Sequence, residues 1–564
     1  MNLRQQLQKP DVLFPLFIVV LIVPILFWGL GTGSLWNPDE GLYAEIAREM
    51  LEQGDWVVPI YNYDTLVFDK PPLIYWLSAL FYRIFGVGEF AFRFQSAFFG
   101  LAGALVIYGL GRTLYNARVG LLSGLIYGSS LGIAVESHTG YMDNALTFWI
   151  AAGLLCFWWG QQERHSPYYL LFAICLSFGT LTKGPIAILI PGLVILLTWG
   201  LRPILRTLSN PWMLASIGLY GLIIGPWHGA IGVRFGADWW NSYFGYHMLT
   251  RFSSPILGTE PWYYYIPMTF LILLPWSGFL PAALWKAGKE AWRRASVDRA
   301  NRVRARFLMI WFAVVFVFFS LAQTKLGTYI FPLIPPGVLL LGRWWEGLFG
   351  DDSSKAQIRT SRIGITLSPL IGIGLLFLAF ALASVHPTVR TYVETSWPGG
   401  MEAYHAISGS LFLITGLYIA MTFLAYLVHR WRPTPMVPFL ALTLSSGLLI
   451  LLMSVQVVPL VEPFKPVKSL AVPIRERIQP DVRVGSYLRA SGIGDMSAPF
   501  YTRHPVTFLT SAEEVSAFLT QDAESYLLIG VEAYRPLEEW IKARTPTVRI
   551  LAQEGQALLV TNRP

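Results

Sequence analysis

The sequence is dominated by long apolar windows that contain no Asp, Glu, Lys or Arg. Thirteen such windows occur, and each, at about 16 to 25 residues, is long enough to cross a hydrocarbon core as a helix. The first is too long for a cleaved signal, and no small-residue cleavage site follows it, so we expect a retained anchor. The pattern predicts a polytopic α-helical membrane protein with about thirteen transmembrane helices. The windows cover approximately residues 12–32, 94–111, 119–135, 144–161, 167–182, 185–201, 211–228, 262–285, 307–323, 327–342, 364–385, 408–428 and 434–457.

The pattern changes after Val457, where short apolar strands alternate with amphipathic helical segments. This alternation predicts a compact α/β domain over 458–564, following a transmembrane domain over 1–457. The C-terminal segment has no nucleophile elbow, Gly-rich phosphate loop or metal-ligand spacing, which favours an accessory role. The predicted strands are Val482–Leu488, Val506–Leu509, Tyr526–Val531 and Ala557–Thr561, and the predicted helices are Ser511–Leu519 and Pro536–Arg544.

Composition agrees with a membrane location, because 54% of the residues are hydrophobic, only 13% are charged and the mean hydropathy is +0.50. A soluble protein carries about a quarter charged residues, so this class is excluded. Both cysteines, Cys156 and Cys175, fall inside apolar windows. They therefore predict neither a disulfide framework nor a thiolate metal site.

The net charge of +8 acts mainly as a topology signal. If successive connections alternate between the two sides of the membrane, most of the basic residues fall on one side, which the positive-inside rule makes cytoplasmic. The N-terminus is then cytoplasmic and the C-terminal domain is on the exported or periplasmic side of a plasma (inner) membrane. Nucleic acid is not implied; the alternative interpretation of the basic segment 286–306 is a cytoplasmic patch for nucleic acid or anionic lipid. The other members of the basic set are Arg4, Lys9, Arg112, Arg118, Arg164, Arg202, Arg206, Arg343, Lys355, Arg359, Arg362, Arg430 and Arg432.

The first exported loop, about 33–93, contains the string Asn37-Pro38-Asp39-Glu40 followed by an amphipathic run. It then contains Phe68-Asp69-Lys70-Pro71-Pro72 and a second apolar run, Leu73–Phe85. Each run is typical of a helix that lies along the membrane surface.

The remaining chemistry-bearing residues also fall on the exported side. Lysines, an arginine and aromatic rings there suit an anionic, lipid-anchored substrate, and neighbouring carboxylates suit general-base chemistry. Glu40, Asp143 and Lys183 are candidates for substrate binding. The other residues of this set are Glu136, His138, Tyr141, His228, Arg234, Asp238, His247, Arg251, Trp262–Tyr265, Lys325 and Tyr329.

Each of these signals also has a structural interpretation. Asn37 and Glu40 could form a capping box, and Asp69 could cap a Pro-initiated helix. Lys183 and Lys325 could be snorkelling lysines at helix ends, and Trp262–Tyr265 could be an interfacial aromatic belt.

Taken together, the strings resemble a known pattern. NPDEGLYAEIAREMLEQGDWVVP, FDKPPLIYWL, LTKGPIA, HMLTRF, PWYYYIP, LPW and TKLGTYIFPLIPP occur in this order over most of the chain. They are similar to strings of the membrane glycosyltransferases that transfer aminoarabinose to lipid A, which share a superfamily with the protein O-mannosyltransferases. The resemblance implies a GT-C fold with thirteen spans, a first exported loop with surface helices and an exported C-terminal domain.

The resemblance also implies an activity: inverting transfer of a sugar, aminoarabinose or another pentose or hexose, from a polyprenyl-phosphate donor. The acceptor is a lipid such as lipid A, a glycan or a protein, and membrane lipid surrounds the enzyme. Asp39 matches the essential acidic residue and is expected to be catalytic. Lys70, Arg251, Lys325 and Tyr329 match residues at the donor phosphate.

The sequence departs from the family at three places. Asp69 stands where Glu is usual, Gly327 stands where Pro is usual, and His247 is displaced by one position in a string that lacks the usual Glu-His pair. In the family these Glu and His residues belong to a proposed divalent metal site. The departures count against a metal at Asp69 and His247, the two candidate ligands here.

Two other classes of protein remain as alternatives. A lipid-linked-sugar transporter or flippase would place ionisable residues inside its spans, whereas the thirteen windows contain no Asp, Glu, Lys or Arg. A non-catalytic membrane receptor would depend on 458–564 and not on Asp39 or Lys70.

Overall fold

The computed structural model describes residues 10–36, 38–163, 166–254, 260–292, 298–349, 358–367, 370, 374, 400–431, 435–475, 479, 481–488 and 495–563. Within these ranges the chain is mostly helical, with strands confined to the first long loop and the C-terminal region. The principal helices of the transmembrane part are Pro10–Phe27, Glu89–Leu114, Ala117–Gly128, Leu131–Ser137, Asp143–Gln162, Tyr168–Lys183, Ile186–Trp199, Leu201–Leu208, Pro211–Trp240, Tyr265–Ile272, Leu280–Trp292, Arg299–Leu321, Ile334–Glu346, Gly400–Trp431 and Met436–Leu452.

The count of thirteen spans stays a prediction. In the described part of the chain, five helices are long and apolar enough to cross a membrane, or up to eight if each of three bent pairs is one span. Several predicted windows differ from single straight helices: 119–135 bends by 55° and 262–285 bends by 119°. Window 364–385 lies almost wholly outside the described residues.

A close approach of two backbones illustrates how the membrane helices pack. A Cβ on Gly111 would lie 2.7 Å from Gly120 Cα, and a Cβ on Gly120 would lie 2.5 Å from the Tyr108 carbonyl oxygen. Small residues at such crossings let helices approach without a hydrophobic driving force between them. The helices Glu89–Leu114 and Ala117–Gly128 therefore meet at glycines.

The first long loop folds into two helices, as the sequence predicts. Asp39–Gln53 begins after Pro38, with Asp39 and Glu40 in its first turn, and ends at Gly54, which adopts the left-handed conformation. Leu73–Phe85 begins after Pro72 and ends before Gly86. Between them lies a hairpin, β1 (Ile60–Tyr61) and β2 (Thr65–Leu66), which the sequence pattern did not predict.

The C-terminal region contains a five-stranded sheet of order β4-β3-β5-β7-β6. Its strands are β3 (Arg483–Tyr487), β4 (Val506–Phe508), β5 (Ser525–Gly530), β6 (Arg549–Glu554) and β7 (Ala557–Thr561). Strand β3 pairs in parallel with β4 and β5, whereas β7 pairs antiparallel with β5 and β6. The four predicted strands are confirmed within a residue or two.

Two features of this region differ from the prediction. Strand β6 was missed because its residues are nearly all exposed and lack apolar alternation; Gly555, with φ of 52°, makes its turn into β7. The last helix is Val531–Arg544, beginning at Val531 rather than at Pro536, because β5 runs directly into it at Gly530. The other predicted helix is confirmed as Ala512–Leu519, capped by the Ser511 side chain.

The C-terminal region and the first long loop share one hydrophobic core, which joins Tyr43, Ile46 and Tyr75 to Val484, Phe500 and Leu528. Polar contacts reinforce it. Asn62 exchanges hydrogen bonds with the Val506 backbone at 2.9 and 2.7 Å, and Tyr501 donates to Glu89 at 2.9 Å. The two segments therefore support each other.

Candidate functional site

Asp39 occupies the first turn of the helix Asp39–Gln53 and is half-buried. Three tyrosines lie near enough to be influenced by its charge. Burial and then nearby carboxylates, Asp39 among them, raise the pKa of Tyr43, Tyr75 and Tyr141 above the ordinary value of 10.0. These phenols therefore remain protonated and can donate hydrogen bonds at any physiological pH.

Asp69 and Lys70 form an ion pair beside this tyrosine group. Lys70 Nζ lies 3.1 Å from Asp69 Oδ2, and only 13% and 12% of the two side chains are exposed. Tyr43 donates to Oδ2 at 3.2 Å, and Tyr75 donates to Oδ1 at 3.5 Å. Burial raises the pKa of Asp69, but the charges of Lys70 and His247 and the hydrogen bonds outweigh it and lower that pKa below 3.8. The carboxylate is thus ionised at neutral pH and holds the Lys70 ammonium in place.

A second cation lies across the site. The Lys183 ammonium contacts the Asp143 carboxylate and lies over the Tyr329 ring, 4.8 Å from its centroid. The Asp143 backbone N–H donates to Glu136 at 2.9 Å. Lys183 ends the helix Tyr168–Lys183 with 15% of its side chain exposed, so its charge is presented at a helix end among carboxylates and an aromatic face.

Two residues bring these groups into one site. Burial and then four carboxylates, Asp39 and Asp143 among them, raise the pKa of Tyr141, so Tyr141 is a common neighbour of the two groups. On the other side, a Cβ on Gly184 would lie 2.9 Å from Tyr243 Oη, in the π-helical segment Asn241–Thr250 that also carries His247. Pairwise contacts and shared neighbours therefore place one set of residues in the same region of the fold: Asp39, Asp69, Lys70, Asp143, Lys183, His247 and Tyr329.

Lys325 is placed differently. It is buried, and its ammonium donates to the backbone carbonyls of Ala322 at 2.6 Å and Glu260 at 3.2 Å. These two bonds hold the loop that precedes Gly327–Leu333. An ammonium carries three donors, and the bonds to described residues use two of them.

Glu40 bonds to Arg93 and to a backbone N–H of its own chain segment. Its carboxylate is fully buried and accepts hydrogen bonds from Arg93 Nε at 2.6 Å and Arg93 Nη2 at 3.0 Å. It also accepts the Trp36 backbone N–H at 2.6 Å. Arg93 also donates to the carbonyls of Leu30, Thr32, Gly33 and Ser34 at 3.0 to 3.1 Å. One guanidinium thus holds residues 30–34 and Glu40, the neighbour of Asp39. Asn37, the expected cap, lies outside the described residues.

The side chain of Arg251 also lies outside the described part, although the short helix Arg251–Ser253 follows the π-helical segment. The metal prediction does not fit the described residues. No group of three or more His, Cys, Asp or Glu side chains among them could hold an ion. Asp69 and His247 do lie close together, but the carboxylate already pairs with Lys70, whose charge opposes a second cation.

Sequence reasoning missed Tyr43, Tyr75 and Arg93. The tyrosines carried a weak signal, because Tyr43 follows Asp39 by one helical turn and faces the same way. Arg93 is the last residue of the predicted loop 33–93, and the sequence assigns it no role. Its partner is remote in sequence, so no local pattern marks it.

The chain resembles known proteins in both sequence and fold. Residues 69–227 match the family described as dolichyl-phosphate-mannose-protein mannosyltransferase. The structure of ArnT from Cupriavidus metallidurans bound to undecaprenyl phosphate superposes with a TM-score of 0.76 at 24% identity and covers 97% of both chains. An oligosaccharyltransferase from Archaeoglobus fulgidus has a TM-score of 0.51 at 12% identity, covering 94% of this chain and 71% of that one. The fold is the GT-C fold.

Sequence relatives give the family. The undecaprenyl phosphate-α-4-amino-4-deoxy-L-arabinose arabinosyl transferase 2 of Proteus mirabilis is 32% identical over 398 residues, 69% of each protein. The chain belongs to this family of arabinosyl transferases. The corresponding transferase of Photorhabdus laumondii is 32% identical over 381 residues, 65% of this chain and 64% of that protein. The chain therefore covers less than two thirds of the length of the Photorhabdus protein.

Proposed function

We propose that the protein is an inverting, polyprenyl-phosphate-sugar-dependent glycosyltransferase that acts on the exported face of the plasma (inner) membrane. Its donor is undecaprenyl-phosphate-linked aminoarabinose, as the relatives' names suggest, or another pentose or hexose on the same carrier. Its acceptor is lipid A or another envelope lipid, glycan or protein. One observation carries the proposal: two lysine–carboxylate pairs, Lys70 with Asp69 and Lys183 with Asp143, share tyrosine neighbours with Asp39.

The lysines suit the leaving group. When a glycosyl phosphate reacts, negative charge develops on the phosphate oxygen that departs, and fixed positive charge stabilises it. Lys70 is fixed by Asp69, and Lys183 is fixed by Asp143 and Tyr329. Such preorganisation removes the cost of reorienting charge during the reaction. Lys325 and Arg251 would supply further donors at the same phosphate, and Tyr329 would line it.

Asp39 suits the acceptor side. In the proposed step the acceptor oxygen attacks the anomeric carbon, and the bond from that carbon to the phosphate oxygen breaks with its electron pair on the phosphate. The Asp39 carboxylate accepts the proton that an attacking hydroxyl loses. Attack from the face opposite the phosphate inverts the anomeric configuration. The products are the glycosylated acceptor and polyprenyl phosphate.

The same proposal includes the topology. Thirteen spans with a cytoplasmic N-terminus put the first loop and 458–564 together on the exported side. Their shared core supports this, since segments that pack against each other must lie on one side of the membrane. The C-terminal domain would then brace the loop that bears Asp39.

The test is transfer by purified protein in lipid nanodiscs, with undecaprenyl phosphate-aminoarabinose as donor and lipid A as acceptor. Asp39→Asn keeps the shape of the side chain but removes the base, so we expect kcat to fall by about 10²- to 10⁴-fold. Asp64→Asn is the matched control, because Asp64 is exposed and bonds only to Thr65 among the contacts described. Asp39→Asn turnover close to that of Asp64→Asn would contradict the role of Asp39.

A further inference from the structure

The segment 495–502 of the C-terminal region, which includes the short helix Ala498–Thr502, lies directly against the helix that begins at Asp39. A Cβ on Gly41 would lie 2.8 Å from Ser497 N and 3.0 Å from Ser497 Cα. Both are backbone atoms, so neither can turn aside as the end of a flexible side chain could. The backbone of the C-terminal region is therefore in close contact with the turn that carries Asp39.

The Tyr501 hydroxyl joins three parts of the chain at one atom. It accepts the Leu35 backbone N–H at 2.7 Å and donates to Glu89 Oε1 at 2.9 Å, and both Tyr501 and Leu35 are buried. Burial and then the Glu89 carboxylate raise the pKa of Tyr501 above its ordinary value. The phenol therefore stays protonated at physiological pH, so it serves Leu35 as an acceptor and Glu89 as a donor.

The two partners of Tyr501 depend on it to different degrees. Glu89 Oε1 also lies 2.6 Å from Lys468 Nζ, so this carboxylate would remain paired without the hydroxyl. For the Leu35 N–H, Tyr501 is the one acceptor within the described part of the chain. A buried N–H that loses its acceptor is unfavourable, and the backbone that bears it shifts to find another. Loss of the Tyr501 hydroxyl would therefore act mainly on Leu35.

Trp36 carries this restraint to Asp39. Its backbone N–H donates to Glu40 Oε2 at 2.6 Å, and its carbonyl accepts the Gly41 N–H at 3.2 Å. Trp36 is thus tied to the two residues that follow Asp39. The segment 495–502 therefore restrains the chain on both sides of Asp39, by a hydrogen bond before it and by backbone packing after it.

We infer that Tyr501 is a positioning residue for Asp39: through Leu35 it fixes the turn that presents the carboxylate to the acceptor. The inference rests on the proposed function, because it takes Asp39 as the base of that reaction. The donor side is held independently. Among the hydrogen bonds of the described residues, none joins Tyr501 to Lys70 or Lys183, and each lysine has its own carboxylate partner.

Tyr501→Phe tests the inference in the nanodisc transfer assay, because it removes one hydroxyl and keeps the ring. Misplacing a catalytic group by as little as 1 Å costs up to about 100-fold in rate, so we expect kcat to fall about 10- to 100-fold. KM for the lipid-phosphate donor should stay within about twofold, since both lysines keep their partners. The matched control is Tyr534→Phe, which should leave kcat unchanged. Tyr534 is buried in a separate core of the C-terminal region, and its hydroxyl has no partner among the described residues.

Combination with Asp39→Asn separates positioning from a general loss of folded protein. If Tyr501 acts through Asp39, Tyr501→Phe should slow Asp39→Asn no further, whereas a loss of folded protein would reduce both rates by the same factor. Single-turnover rates with enzyme in excess measure the chemical step of these slow variants.

Hydrogen–deuterium exchange provides a readout that needs no turnover. In Tyr501→Phe the Leu35 amide should exchange about tenfold faster, whereas the amides of β5 (Ser525–Gly530) should be unchanged. Unchanged exchange at Leu35, kcat equal to that of Tyr534→Phe, or an equal loss in the Asp39→Asn background would overturn the inference. If the unchanged protein transfers no sugar while the exchange at Leu35 responds as expected, the proposed function fails and the Tyr501 contact is supported. Full transfer activity in Tyr501→Phe contradicts only the positioning role.

Discussion

Replacing Arg93 by Met removes the cation that holds residues 30–34 and Glu40 together. The guanidinium pairs with Glu40 at 2.6 Å, and the two side chains are only 3% and 0% exposed. It also donates to four backbone carbonyls, from Leu30, Thr32, Gly33 and Ser34. The substitution therefore strands a buried carboxylate and removes a donor from four carbonyls, of which Ser34 still accepts from Lys465.

The cost follows from burial. Breaking a buried ion pair by removing one partner costs about 3–5 kcal/mol, because the remaining charge is left without compensation. Arg93→Lys keeps the charge but cannot reproduce the planar fork that reaches Glu40 and the carbonyls together, so we expect an intermediate loss. Arg93→Met combined with Glu40→Gln removes the stranded charge and should recover part of the stability.

The assay is the thermal unfolding midpoint of purified protein in one detergent, followed by intrinsic fluorescence. The matched control is Arg83→Met, because Arg83 is exposed on the helix Leu73–Phe85. We expect the unfolding temperature to be highest for Arg83→Met, lower for the double variant and lowest for Arg93→Met. Equal midpoints for Arg93→Met and Arg83→Met would refute the account of Arg93.

Three further predictions concern the site and the loop helix. Lys70→Met removes a fixed ammonium, so kcat/KM for the lipid-phosphate donor should fall about 10- to 100-fold, and the exposed control Lys542→Met should not change it. Asp143→Asn and Lys183→Met each strand a charge, so the double variant should be no slower than the worse single variant; additive losses would contradict the pairing. Burial and the Glu45 carboxylate raise the pKa of Glu49 from 4.5 to about 8. The folded state then binds more protons than the unfolded state between these values, so stability falls as the pH rises from 4.5 to 8. Glu49→Gln should reduce that slope in thermal midpoints measured against pH, whereas the exposed control Glu532→Gln should retain it.

Much of the fold could be read from local pattern. The helix Leu73–Phe85 has the predicted bounds because Pro72 and Gly86 flank an apolar run whose one charged residue is Arg83. Strand β7 has the predicted bounds because Ala557–Thr561 is wholly buried and follows a turn glycine. The local sequence is enough to place an element where a buried apolar run meets a turn residue.

The bends in the membrane helices could not be read in this way. The break between Gly128 and Leu131 falls at Ser129 and Ser130, whose hydroxyls bond back to the carbonyls of Leu125 and Ile126. Hydroxyls inside an apolar run do not interrupt a hydropathy window, although they satisfy the backbone where a helix bends.

The charged residues of the candidate site could be selected from the sequence, but their contacts could not. Asp39, Lys70, Asp143 and Lys183 were found because charge is rare in this chain. That Asp69 anchors Lys70, and that Glu40 holds Arg93, depends on contacts across the fold. Spacing along the chain carries no information about such pairs.

The most direct test of sugar transfer is product analysis from purified protein in nanodiscs supplied with undecaprenyl phosphate-aminoarabinose and lipid A. The proposed function predicts that mass spectrometry detects lipid A carrying the sugar, with an equal amount of undecaprenyl phosphate released. It also predicts inverted anomeric configuration by NMR and loss of product with Asp39→Asn. A folded protein that forms no glycosylated product from this donor, or from other undecaprenyl-phosphate pentoses and hexoses with lipid, glycan or protein acceptors, would contradict it.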